Sequence, residues 1–246
     1  MDRALYDEHA QLETNHWWFV GRRAIIRSTL SQHLPTTTGN TIVDVGCGTG
    51  GMLPMLATFG QVTGIEGDQL AVEHCRSTFG QFEVAHGQIP HAIPTEGTLT
   101  LATAFDVIEH LDDDVGALVA LRRSVRPGGT VAVTVPALSW LWSDHDRANG
   151  HRRRYTRQVL LGAIQQAGLE VRHASYFNTI LLPPVAVSRL AQRIHASVVE
   201  PESDFSMPPP LLNRILTGVL RSERRIAARR GLPIGVSLIA IAERRL

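Results

Sequence analysis

The sequence predicts a doubly wound α/β domain with a mostly parallel sheet, and three observations carry that expectation. Short apolar runs alternate with helical segments through most of the 246 residues. The first run, TIVDVG (41–46), passes straight into a glycine-rich turn and a helical segment. The second run ends at Glu66, about 20 residues beyond that turn, where an acid can grip ribose hydroxyls.

The elements follow in order. GRRAIIRSTLSQH (21–33) reads as a helix with Ala24, Ile25 and Leu30 partly on one side, and PTTTGN (35–40) as a loop. TIVDVG is a buried strand, and GMLPMLATFG (51–60) a helix that tolerates Pro54 in its first turn. QVTGIEG (61–67) is the second strand, Leu70 to Phe79 the next helix, and Gln81 to Ala85 a short third strand. LTLATAFDVIEH (99–110) holds a strand and then a turn. DDDVGALVALRRSV (112–125) is a helix opened by three aspartates, which suit a positive helix N-terminus. RPGG (126–129) is a turn and TVAVTVPAL (130–138) a strand. A helix runs from its N-cap Thr156 to Ala167 and is closed by Gly168. LEVRHASYF (169–177) and GVSLIAIAERR (235–245) are the last strands. Between them lies a long insertion whose proline-rich centre, PESDFSMPPPLL (201–212), is expected to be irregular or mobile. The chain therefore divides into an N-terminal cap helix region (1–34), an α/β core (35–177 and 235–246) and an insertion or cap (178–234).

Composition narrows the function classes. A hydrophobic share of 43% suits one large domain, or one domain plus a small cap. The formal net charge of +1 gives no strong global field, so no nucleic-acid partner is expected. Two cysteines, Cys47 and Cys75, make no disulfide framework. The N-terminus is too acidic and polar for a secretory signal, and Ile180–Val187 is short and broken by Pro183 and Pro184, so a cytoplasmic location is expected.

The chemistry-bearing residues cluster at loops that follow strands. Gly46, Gly48, Gly50 and Gly51 let a ligand approach the backbone closely, and the following helix start presents free N–H groups. Gly46, Gly48 and Gly51 also satisfy the G-x-G-x-x-G dinucleotide pattern, so both cofactor classes stay open at this point. His110, after strand four, is a candidate proton acceptor or a loop cap, and Glu109 reads as tying loop groups together. After strand five, Trp140 and Trp142 offer aromatic walls, and His145 or His151 a possible base. Arg152, Arg153, Arg154 and Tyr155 complete a candidate substrate pocket, the arginines suiting a carboxylate or phosphate. The bland alternative is a solvated basic loop paired with local aspartates. His145, Asp146 and His151 show no tight ligand spacing, and no metal is expected. In the insertion, apolar Ile180–Ile194 and the arginines of Leu220–Arg230 fit either an amphipathic lid touching lipid or a cap with its charges in water.

Several separated motifs give a resemblance to class I S-adenosylmethionine-dependent methyltransferases, especially their small-molecule branch. Asp44–Gly50 matches D-x-G-x-G-x-G, GIEGD (64–68) the acidic end of strand two, and HGQIP (86–90) the loop after strand three. FDVIEHLDDD (105–114) and RPGGTVAVTVP (126–136) match the segments after strand four and into strand five. The resemblance implies S-adenosylmethionine as cofactor and an antiparallel seventh strand. It places Asp44, Gly46, Cys47, Gly48 and Gly50 against the methionine part, and Glu66 and Gly67 at the ribose. Gln88, where an aspartate is more usual, and Ile89 would meet the adenine. Asp106, Val107 and Ile108 would lie near the methionine end or the sulfonium. Trp17-Trp18-Phe19 with Arg22 and Arg23 is similar to starts of related enzymes whose N-terminal helix lies over the cofactor. There Arg22 could pair with the cofactor carboxylate and Trp18 close the pocket.

The function expected is methyl transfer to a small molecule, with acidic and lipid-linked acceptors as candidates and oxygen preferred over nitrogen as acceptor. The N-P-P-Y pattern for exocyclic amines is absent. The partners expected are a small-molecule substrate, a possible peripheral membrane or lipid contact through the insertion, and a monomeric or homodimeric chain. A nicotinamide-dependent oxidoreductase and a non-catalytic cofactor-binding partner protein are the alternatives.

Overall fold

The computed structural model describes residues 10, 12–34, 39–194 and 206–245. Strands β1 (Thr41–Val45), β2 (Gln61–Glu66), β3 (Glu83–His86), β4 (Leu99–Phe105), β5 (Val125–Pro136), β6 (Leu169–Phe177) and β7 (Ser237–Arg244) form one sheet. Its order is β3-β2-β1-β4-β5-β7-β6. β7 runs antiparallel to β5 and β6, while the pairings among β1 to β5 are parallel. The chain winds outward from β1 through β2 to β3, then restarts at β4 on the other side. That reversal opens a crevice at the carboxyl ends of β1 and β4.

The strands are apolar on both faces because both are covered. On one face Ile42, Leu101, Ala132 and Ile239 pack with α1 (Trp17–His33), α2 (Leu53–Leu56) and α3 (Gln69–Thr78). On the other, Val43, Ala102, Val131 and Ala240 pack with α4 (Asp114–Ser124) and α6 (Arg157–Gln166). The short α5 (Asp144–Ala148) lies in the loop after β5. Side-chain caps fix the helix starts: Asp68 accepts from Leu70 and Ala71, Asp113 from Gly116, and Thr156 from Val159.

The insertion carries α7 (Leu182–Ile194), α8 (Pro210–Ser222) and α9 (Arg224–Arg229). α8 and α9 pack on α1. Gly21 makes this possible, since a Cβ there would stand 2.6 Å from Leu220 Cδ2. Asn213 ties the layers together by accepting from the Trp17 amide (2.8 Å) and donating to the Asn15 carbonyl (2.8 Å).

Four local expectations are corrected. Helix α1 begins four residues earlier than its apolar pattern suggested, because His16 Nδ1 accepts from the Trp18 amide as an N-cap. The helix after the glycine turn is a single turn, Leu53–Leu56. Residues 126–129 loop out inside β5, with Leu99 opposite Val125 and Leu101 opposite Thr130. The arginine-rich segment is two helices broken at Glu223, whose buried carboxylate accepts from the Thr179 and Ile180 amides (3.1 and 2.8 Å). Within the proline-rich segment, residues 201–205 lie outside the described residues, and Pro210–Leu212 already belong to α8. No helix among the described residues is long and apolar enough to cross a membrane.

Candidate active site

The crevice at the ends of β1, β4 and β5 is a cleft of about 630 Å³, roofed by α1, α7 and α8. Its first wall is the turn after β1. Gly46 has φ +69° and a Cβ there would stand 2.5 Å from Val107 Cγ2, so only glycine lets the chain turn above β4. The Gly46 and Cys47 amides donate back to the Ile65 carbonyl (2.7 and 3.1 Å), which locks the turn to β2. Glu66 accepts from Gly48 (2.8 Å) on one oxygen and from Gly67 and Asp68 (2.8 and 3.0 Å) on the other. The acid at the end of β2 thus braces the glycine turn.

Asp44 is buried at the base of this wall, with Thr103 Oγ1 donating to it at 2.6 Å. Burial pushes its carboxyl up to about 7, against the Thr103 hydrogen bond and the charge of Arg22. Arg22, on α1, pairs with Asp106 at 2.7 Å. Asp106 sits just past β4 at φ +57°, a conformation that aspartate tolerates better than most residues. Arg22 Nε is buried without an acceptor among the described residues. Trp18 stacks on Phe177 with centroids 5.9 Å apart and closes the same end.

The opposite end of the cleft is polar. A 3-10 turn, Ile108–His110, follows β4, and the Arg152 amide pins it by donating to the Glu109 carbonyl (2.9 Å). The His110 and His151 rings meet edge to face, 4.8 Å between centroids. Asp146 accepts from His151 Nδ1 (2.8 Å), Arg154 Nε (2.8 Å) and the Ser143 amide (2.9 Å). Burial works against the Asp146 carboxylate, but the hydrogen bonds from His151 and Arg154 and the arginine's charge hold it well below the usual range. Burial, then the neighbouring His151, lowers His110. Glu109 is fully buried, and neither carboxylate oxygen finds a donor among the described residues. Burial, reinforced by Asp106, raises its carboxyl well above the usual range against the pull of Arg22 and Arg154. Glu109 does not tie loop groups together, as its place in the sequence suggested; it is an unpaired acid in the cleft wall.

Of the residues expected at the cofactor, Trp18, Arg22, Asp44, Gly46, Cys47, Gly48 and Asp106 line the cleft. Gly50, Glu66, Gly67, Gln88, Ile89, Val107 and Ile108 do not. Gly50 has φ +91° and packs on Cys75 and Phe79 behind the turn; Val107 supports Gly46 from below; Ile108 is a core residue. Gly67 and Gln88 stand on the open rim beside short β3, where Gln88 Nε2 donates to the Gly67 carbonyl (3.4 Å). Cys47 is raised by the adjoining Cys75 thiol and by burial, which leaves it an unreactive wall.

His110, His145 and His151 all line the cleft, but the expected substrate set does not. Arg152 pairs with Asp112 (2.5 Å) and donates to the His110 carbonyl (2.8 Å). Arg153 pairs with Asp114 and donates to the Leu111 and Asp112 carbonyls. Tyr155 is fully buried and donates to Asp114 Oδ2 (2.7 Å). Trp140 is half exposed and Trp142 half-buried outside the cleft. The loop folds back on the turn after β4, so these arginines brace backbone carbonyls and aspartates instead of facing a ligand. Only Arg154 of the run reaches the cleft wall, already paired with Asp146. The sequence also missed Glu13 and His16, which line the cleft from the N-terminal segment. No spacing pattern marks either, because the tertiary fold alone carries them there.

A glycine turn braced by an acid at the switch point of a sheet with an antiparallel seventh strand defines a nucleoside-cofactor domain of the methyl-transfer type. The family model described as "Methyltransferase domain" matches residues 18–174. A probable S-adenosylmethionine-dependent methyltransferase of Mycobacterium tuberculosis is 24% identical over 239 residues, covering 95% of this chain and 86% of that protein. A Mycolicibacterium smegmatis protein of the same description is 25% identical over 162 residues, 65% of this chain, and the match spans 61% of that relative's own length. Among solved structures, a chain from a complex with the Haloferax volcanii Trm112 methyltransferase activator superposes with a TM-score of 0.64 at 16% identity, covering 99% of this chain and 95% of that one. The chain belongs to the methyltransferase-domain family of S-adenosylmethionine-dependent enzymes.

Proposed function

We propose that this chain transfers a methyl group to a hydroxyl oxygen of a small acceptor held over Glu109, His110 and His151. The single observation that carries the reading is the cleft's polarity. One end is the glycine turn with Asp44 and Arg22, and the other is a cluster of one acid and two imidazoles. The residues present fit the donor: Gly48, in the cleft wall, has open space where a Cβ would stand, and Arg22 Nε has no acceptor among the described residues. Asp44 would take the donor's ammonium and Arg22 its carboxylate, and the ribose would pass beyond Gly48, out of the cleft, to reach the remaining lone pairs of Glu66. When bound, S-adenosylmethionine supplies an electrophilic methyl group on a sulfonium.

Little covalent work is left to the protein, which must align the oxygen and exclude water. Trp18 and residues of α7 and α8 line the cleft. Asp146 fixes the His151 ring so that its other nitrogen can take the hydroxyl proton as the C–O bond forms and the C–S bond breaks. A Pseudomonas paraeruginosa protein named ubiquinone biosynthesis O-methyltransferase is 29% identical over 153 residues, which supports oxygen as acceptor. Leu211, Leu212 and Ile215 on α8 and Val187 and Leu190 on α7 are exposed beside cleft residues Leu216 and Val185, which favours an acceptor with an apolar tail.

The test is transfer of labelled methyl from S-adenosylmethionine to a panel of phenols, hydroxy acids and prenylated alcohols. Product ethers or esters are expected, with kcat falling about 100-fold in His151→Asn while S-adenosylhomocysteine still binds. Label appearing only on amines or carbon, in a protein that binds the cofactor, overturns the reading.

A further inference from the structure

We infer that Glu109, His110 and His151 bind one divalent cation of the zinc class, with a coordination position open to the cleft. Their ligand atoms all lie within 4.8 Å of one another. A tetrahedral zinc site needs about 3.4 Å between donors, so small side-chain rotations close the set. Two imidazoles on one tetrahedral ion hold their centroids about 5 Å apart; the rings of His110 and His151 stand at 4.8 Å, crossed at 76°.

The surroundings are those of metal ligands. Asp146, itself fully buried, accepts from His151 Nδ1, which leaves the other ring nitrogen as a donor atom. Glu109 is the independent sign. Ionised, a carboxylate buried at 0% exposure with both oxygens unsatisfied among the described residues is costly until a cation meets it. Arg22 and Arg154, the nearby cations, are paired with Asp106 and Asp146. Two nitrogens and one oxygen suit zinc and are a poor set for magnesium, which takes oxygen ligands. His145, Asp146 and His151, the set weighed from the sequence, are not the ligands, because Asp146 is consumed in orienting His151.

A cation here would act as a Lewis acid for the acceptor oxygen; with the free nitrogen of His151 held as a ligand, the hydroxyl proton would pass to water instead of to the imidazole as the C–O bond forms and the C–S bond breaks. This deepens the function proposed above and rests on its placing the acceptor over these three side chains.

The experiment is calorimetric titration of ZnCl2 into tag-free, chelator-stripped full chain. About one equivalent is expected to bind, with MgCl2 giving no competing heat. Glu109→Gln and His151→Gln should each weaken binding at least 100-fold, and Asp146→Asn about 10- to 100-fold, with S-adenosylhomocysteine binding as the fold check. Loading with Co2+ gives a second readout: intense visible bands of four- or five-coordinate cobalt, lost in His151→Gln. No stoichiometric heat, or Glu109→Gln binding zinc as tightly as the native chain, overturns the site. Zinc binding without methyl transfer to any hydroxyl overturns the acceptor assignment alone. Transfer untouched by chelation in a chain that binds no zinc overturns the cation site alone.

Discussion

Arg22 of α1 reaches Asp106, the residue just beyond β4, at 2.7 Å, and so joins the roof of the cleft to its floor. The pair lies deep, with side chains 9% and 27% exposed, so it is screened less than a surface bridge. A cycle of Arg22→Ala and Asp106→Asn is expected to show a coupling of about 0.5–3 kcal/mol. Arg22→Lys should keep the charge yet still lose about tenfold in S-adenosylhomocysteine affinity, because lysine has no Nε fork. Full affinity in Arg22→Lys would mean that the guanidinium does not meet the cofactor.

Asp44 makes cofactor binding depend on pH. Its carboxyl sits at about 7 because burial penalises the charged form. The donor's ammonium favours the carboxylate, so below pH 7 the acid must ionise before the cation binds well. Affinity for S-adenosylhomocysteine should therefore rise about tenfold per unit up to pH 7 and level off above it. Calorimetry across pH 5.5–8.5 in buffers of differing ionisation heat would detect about one proton released on the acid side. A flat profile would remove Asp44 from the ammonium site.

Gly46→Ala forces a left-handed alanine, at about 1–2 kcal/mol, and sets its methyl 2.5 Å from Val107. Loss of cofactor binding by at least tenfold is expected. Partial recovery in Gly46→Ala/Val107→Ala would separate the steric part from the backbone part; identical losses in both variants would show that the Val107 contact is irrelevant.

Tyr155→Phe removes the hydrogen bond to Asp114 in a fully buried setting. Unfolding free energy should drop by about 1–2 kcal/mol with KM for the acceptor unchanged. A raised KM at native stability would return Tyr155 to the substrate pocket.

His33 and His173 stack at 4.4 Å, with their Nε2 atoms on the Ala228 and Ala227 carbonyls. Burial lowers His173, helped by the charges of His33 and Arg157. The unfolded chain then takes up a proton first. This contribution is full above about pH 6.5 and is lost as pH falls. Denaturant midpoints at pH 7 and pH 5 should differ less in His173→Gln than in the native chain; equal differences would discount the pair.

Periodicity and turn chemistry by themselves determined the strands, the glycine turn, the acid that ends β2 and the Thr156 cap, since each depends on neighbours within a few residues. The sequence marked His110 and His151 as chemical, but read Arg152, Arg153 and Tyr155 as ligand contacts. Tertiary structure decided otherwise, for a cation's partner is whichever carboxylate or carbonyl the fold sets nearby, and here those are Asp112, Asp114 and the carbonyls of residues 110–112. Glu109 looked ordinary along the chain. Its meaning comes from burial, which strips away water and leaves an acid whose charged form only groups distant in sequence can balance.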